Sequence, residues 1–170
     1  MEIEILIKLQ ELRNVFFDFF FRYFTVLGNH GELWIAILVV MLFFKKTRKL
    51  AIVGAILLVI EYGLVDGVLK NIFERPRPFT VHDIELLIKA PSGFSFPSGH
   101  TASSFTVAGF LFFSKLKGRW IYIVLASLMA FSRLYLFVHY PTDILVGIII
   151  GLAIAYVGHL VYRKFESNNS

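Results

Sequence analysis

The chain has 170 residues, of which 57% are hydrophobic, 16% aromatic and only 17% charged, with a mean hydropathy of +0.72. A soluble domain carries about 25% charged residues and could not hide 19 Phe, so the chain is read as a single membrane-embedded domain over 1–170. Cysteine is absent, which excludes disulfides and thiolate metal sites, and the net charge of +5 falls in clusters between apolar runs rather than along a nucleic-acid face.

Residues 1–27 interleave Leu6, Leu9, Phe16, Phe20 and Phe24 with Lys8, Glu11, Arg13, Asp18 and Arg22. They predict an amphipathic helix lying in the interface, without the clean apolar centre and cleavage site of a secretory signal. Membrane spans are predicted at about 31–44, 50–70, 100–114, 120–137 and 142–162, within a transmembrane core over 31–164. The first is short against the ~20 residues a span needs, unless it borrows from Val26 and Leu27. The fold class is therefore all-α: a polytopic membrane helix bundle of about five transmembrane helices plus an N-terminal amphipathic helix.

Counting crossings sorts the connections onto two sides. Nine of the seventeen basic residues cluster on one side, at Lys45, Lys46, Arg48 and Lys49, at Lys115, Lys117 and Arg119, and at Arg163 and Lys164. The positive-inside rule makes that side cytoplasmic. All five prolines, with His82, His100 and His139, fall on the other side. Irregular backbone survives at membrane depth only beside protein or a water-filled cavity, so a cavity opening outward is expected.

Three groups of polar residues meet at that outer mouth. The first is Lys70 with Arg77-Pro78. The second is the turn Pro97-Ser98-Gly99-His100, where Ser98 suits an N-cap and the new helix offers unpaired N–H groups to an anion. The third is Ser132-Arg133, then His139, then Asp143 in the first turn of the last span. Lys and Arg side chains neutralise phosphate oxygens, and Arg adds bidentate geometry. Asp143, four residues after His139, is placed to accept one imidazole N–H and leave the other nitrogen as a nucleophile, with His100 free to act as the acid. No metal and no cofactor is called for. An ordinary capped helix explains Ser98 and His100 taken alone, and an interfacial side chain explains each histidine taken singly.

In order and spacing, Lys70 to Arg77-Pro78, Pro97 to His100, and Ser132-Arg133 to His139 to Asp143 resemble the three-part signature of the type 2 phosphatidic acid phosphatase superfamily. The resemblance implies a metal-independent lipid phosphatase working through a phosphohistidine. By it, His139 is the nucleophile, Asp143 its orienter and His100 the general acid. Lys70, Arg77, Ser98, Gly99 and Arg133 then form the phosphate cradle. It also implies a bacterial inner-membrane protein with its site facing the periplasm or cell exterior. Candidate substrates are undecaprenyl diphosphate, lipid A 1-phosphate, phosphatidylglycerophosphate and phosphatidic acid. Many members have six spans where five are counted here. The expected partners are the lipid phosphate and the bilayer, with no nucleic acid and no protein partner. The rival reading is a non-catalytic lipid-phosphate binding or transport protein on the same scaffold, which would need the cations but not the His-Asp pair. Vanadate-dependent oxidation chemistry, known from soluble relatives, fits poorly with so apolar a chain.

Several residues keep two readings. Asp66 either orients Lys70 across one helical turn or forms a plain interfacial ion pair. Glu61, near mid-membrane, is read as a hydrogen-bonded packing residue in preference to a functional one. His30 and His159 read as interface residues. Gly63 with Gly67, and Gly147 with Gly151, read as close-packing pairs rather than self-association motifs. Thr101 either bonds locally or lines the site, and residues 81–90 form either a short helix over the mouth or an ordered loop.

Overall fold

Glycine and proline punctuate the apolar runs, and the computed structural model, which describes residues 1–168, turns each run into a helix. Among the described residues there is no strand. The helices are α1 (Glu2–Gln10), α2 (Val15–Phe24), α3 (Glu32–Leu42), α4 (Arg48–Tyr62), α5 (Lys70–Phe73), α6 (Pro78–Val81), α7 (Gly99–Phe113), α8 (Arg119–Tyr135) and α9 (Pro141–Ser167).

Helix α7 is the axis of the bundle, with every residue from Thr101 to Leu111 buried. Its Ala102, Ser103, Ser104, Ala108 and Gly109 are small enough to let neighbours approach from all sides. Helix α9 takes that opportunity: a Cβ on Gly151 would stand 2.6 Å from the Ala102 carbonyl oxygen, and one on Gly147 3.0 Å from that of Ser98. The Gly147–Gly151 pair is thus a packing seam. The Gly63–Gly67 pair is not, since nothing lies within 4 Å of either glycine's missing Cβ. Both belong to a π-helical stretch, Gly63–Leu69, that joins α4 to α5. On the third side of α7, the buried Trp34 of α3 donates its indole N–H to Ser104 Oγ at 2.9 Å.

The helical run 48–81 and α9 are each long and apolar enough to cross a membrane. The run predicted at 31–44 forms α3, only 11 residues long. Helix α2, extended by a 3-10 turn over Thr25–Gly28, passes the same test together with α3 as a pair bent by 59°. Gly31, at a φ of 75°, takes up the turn between them.

One expectation is corrected here. Residues 1–27 form two helices rather than one, because Asn14 Oδ1 accepts the N–H groups of Phe16 and Phe17 at 3.1 and 3.0 Å and starts α2 afresh. Both helices pack onto the outer end of the bundle. Leu6 is fully buried against Phe137 and Tyr140, and Phe21 stacks on Tyr135 with ring centroids 4.7 Å apart. Tyr135 also donates its hydroxyl to Asp18 Oδ1 at 2.6 Å. Residues 82–90 form an ordered loop whose Leu86, Leu87 and Ile88 join this outer cluster.

A bulkier side chain in the α7–α9 seam has no room to relax. Gly151→Val is expected to destabilise the fold by about 1–3 kcal/mol through overpacking. Thermal unfolding in detergent checks this, with Gly67→Ala, which meets open space, expected to leave the transition where it is.

Candidate active site

Two chain segments arrive at the outer end of α7 from opposite directions. Glu74 leaves α5 in the left-handed conformation and sends the chain, through Arg75 to Arg77, across the mouth. From the other side, residues 136–140 lead from α8 into α9, where Pro141 occupies the first helical turn. Asp143, three residues after the cap Tyr140, accepts the Tyr140 backbone N–H at 2.8 Å, and this carboxylate is wholly buried.

Its remaining valences hold the site together. His139 Nδ1–H points at Asp143 Oδ2 at 3.3 Å, and Ser95 donates its hydroxyl to the same oxygen at 2.5 Å. Arg75 Nη1 donates to Oδ1 at 2.7 Å. With Nδ1 so engaged, His139 Nε2 carries the lone pair, 3.2 Å from Arg77 Nη1. Burial, reinforced by the Arg77 and Arg133 charges and opposed by the Asp143 hydrogen bond, pushes the His139 imidazole down from 6.5 to about 3. It is therefore neutral, as a nucleophile must be.

Arg77 is held by the loops it crosses. It donates to the carbonyls of Gly93, Ser92 and Val138 at 3.0, 3.1 and 3.1 Å. Arg133 is almost wholly buried, donates from Nη1 to Thr25 Oγ1, and has no partner at Nε. Lys70 Nζ donates to Asp66 Oδ1 at 2.5 Å, the contact across one helical turn that an orienting role and a plain ion pair share. Gly99 lies against the same pair, since a Cβ there would meet Asp66 Oδ2 at 2.9 Å. His100 Nε2 stands 3.3 Å from Asn29 Oδ1, and Gly28 passes so close that a Cβ would meet the imidazole at 2.7 Å.

These groups line one cavity of about 830 Å³, the size of a small-ligand pocket. Lys70, Arg77, Gly99, His100, Arg133 and His139 are all in its wall. Ser98 is not: it is fully buried behind the wall, where its hydroxyl accepts from the N–H and hydroxyl of Thr101 at 3.4 and 3.0 Å. Thr101 accordingly bonds locally. Asp143 also sits behind the wall and reaches the cavity only through His139. Ile88 to Ser92 cover part of the mouth, and His30, paired with Glu32 Oε1 at 2.9 Å, stands at its rim.

Sequence reasoning missed Arg75, Ser95, Thr25, Asn29 and Glu2. Glu2 binds Arg75 Nη2 at 2.6 Å and accepts the Thr142 N–H and hydroxyl at 3.0 and 2.7 Å. Arg75 also lies 3.8 Å over the Tyr140 ring. Only Arg75 had a local signal, as the first arginine of an Arg-Pro-Arg-Pro run. The others reach side-chain partners at least 44 residues away.

The family model of the PAP2 superfamily matches residues 48–167. The chain is 36% identical over 135 residues to an undecaprenyl-diphosphatase of Sulfolobus acidocaldarius, covering 77% of this chain and 65% of that one. It spans 56% to 65% of the length of the first curated relatives it matches. Among solved structures it is similar to Aquifex aeolicus LpxE, with 32% identity, a TM-score of 0.80, and coverage of 92% of this chain and 93% of that one. It is also similar to a transmembrane PAP2-type phosphatidylglycerolphosphate phosphatase from Bacillus subtilis. That match has 30% identity, a TM-score of 0.75, and coverage of 98% and 85%.

The His139 environment carries a pH signature. Its folded-state pKa, about 3, lies below the ordinary 6.5, so the unfolded chain binds more protons between those values. Stability is greatest above about pH 6.5 and falls as pH drops toward 3. A thermal-unfolding series in detergent is expected to show that slope, and His139→Gln to flatten it.

Proposed function

The chain belongs to the PAP2 superfamily and is an integral membrane protein with an all-helical fold. From that premise we propose that it is a membrane lipid phosphatase, formed as a single domain over 1–170, that hydrolyses a terminal phosphate through a phosphohistidine. The observation that carries the reading is His139, neutral, tied at Nδ1 to Asp143, with Nε2 turned to a cavity walled by Lys70, Arg77, Arg133 and His100.

In this mechanism the phosphate enters among the three cations and draws on the unpaired Nε of Arg133. Its charge is met by donors already in place, so the reaction needs no metal. His139 Nε2 attacks phosphorus, the bond to the lipid oxygen breaks, and His100 gives that oxygen a proton. Water then attacks the phosphohistidine as His100 takes its proton, and inorganic phosphate leaves. Ser98 serves from behind the wall, by capping α7 and fixing the backbone at Gly99 and His100.

The membrane places the apolar tail in lipid while the head enters the cavity. The basic clusters at the other end of the bundle support a site on the periplasmic or outer face of a bacterial inner membrane. Undecaprenyl diphosphate, lipid A 1-phosphate, phosphatidylglycerophosphate and phosphatidic acid are the substrates to try. The buried His139–Asp143 pair favours catalysis over a binding or transport role, which would not use it.

Phosphate release from these lipids by purified protein, in the presence of EDTA, tests the reading. Release is expected, falling about 10³-fold or more in His139→Ala and His100→Ala. Binding without release from any lipid would instead establish the transporter. Arg75→Met, which frees Asp143 Oδ1, is expected to lower kcat by about 10- to 100-fold with little change in KM.

A further inference from the structure

Glu61 is a buried acid that the mechanism above does not use. It is 2% exposed, its Oε1 has no hydrogen-bond partner, and its side chain lines the same cavity as Lys70, His100 and Arg133. The sequence reading, a hydrogen-bonded packing residue, is not what forms. Its neighbours Leu57 and Leu58 show that an apolar side chain suits this helix, and an unpaired buried carboxyl is costly.

The π-helical stretch explains how Glu61 and Lys70 come to share one wall. In a regular α-helix the nine residues from Glu61 to Lys70 would turn through about 900°, setting the two on opposite faces. Each residue of the wider π turn rotates less, and seven of them intervene at Gly63–Leu69. Glu61, Asp66 and Lys70 consequently share the cavity wall. Lys70 is already taken by Asp66 at 2.5 Å, so Glu61 is left for a ligand.

We propose that Glu61 is a specificity-determining residue that pairs with a hydroxyl group on the substrate head beside the phosphate, as in glycerol- or sugar-linked lipid phosphates. This rests on the lipid phosphatase reading. A hydroxyl both donates and accepts, and so satisfies a carboxyl in either ionisation state. A second phosphate at that position would be repelled by the ionised carboxyl and satisfy only its protonated form, and an ammonium group would meet the Lys70, Arg77 and Arg133 charges. The cavity thus presents an unpaired donor, Arg133 Nε, for the phosphate and an unpaired carboxyl for the hydroxyl of one head group.

A matched pair of lipids tests this: phosphatidylglycerophosphate and its analogue in which propanediol replaces the central glycerol, removing a single hydroxyl. Wild-type kcat/KM is expected to favour the hydroxyl lipid by about tenfold or more, because the analogue leaves Glu61 unpaired. Glu61→Gln, which can still pair with a hydroxyl, keeps most of that preference. Glu61→Leu brings the ratio near one by losing rate on the hydroxyl lipid. A wild-type ratio near one overturns the proposal without any variant, as does an unchanged ratio in Glu61→Leu. Phosphate release from neither lipid nor from undecaprenyl diphosphate would mark the failure of the phosphatase reading itself, and this proposal falls with it.

Discussion

The buried carboxylate of Asp143 is the constraint on which the outer half of the molecule depends. A charge with no access to water must be met by partners, and breaking a buried ion pair by removing its charged partner costs about 3–5 kcal/mol. Here the partners come from separate parts of the chain: the Tyr140 N–H that opens α9, the Ser95 hydroxyl from the long loop, Arg75 from just beyond α5, and His139. Satisfying one ion therefore closes three segments onto one another. The N-terminal helix joins through Glu2, which holds Arg75 from the far side. The same carboxylate that sets the tautomer of His139 also ties these segments together, so local stability and chemical readiness have one origin.

That economy explains what was legible in the sequence and what was not. Helix positions followed from apolar runs ended by basic clusters. The site was legible because Lys70, Arg77, His100, Arg133 and His139 each sit at a run's outer end, where counting crossings brings them to one side. Contacts that depend on packing were not legible. Nothing near Glu2 or Thr25 announces that each meets an arginine more than sixty residues away. Asn14 is an ordinary polar residue in a mixed stretch until its side chain is seen to cap α2.

The glycine pairs make the point more sharply. Gly147–Gly151 and Gly63–Gly67 have the same spacing, yet one lies on a close helix contact and the other on open space. The difference is the π-helical turn, a change of pitch that no residue pattern specified. That turn also brings Lys70 onto the cavity wall that Glu61 lines. Ser98 shows the reverse case: its position in the motif was plain, while its direction, away from the cavity and toward Thr101, was set by the capping geometry of α7.

The encasement of α7 has a consequence for how the protein is made. This helix carries Ser103, Ser104 and Thr106 at buried positions, and α9 covers the face along which Gly147 and Gly151 run. A ribosome delivers α9 after α7. Until it emerges, the α7 face formed by Thr101, Ala102 and Phe105 is uncovered, and the carboxylate partner of His139 does not yet exist. The segment from Pro141 thus completes both the packing around α7 and the buried carboxylate beside His139, and a nascent chain stopped before Pro141 holds neither.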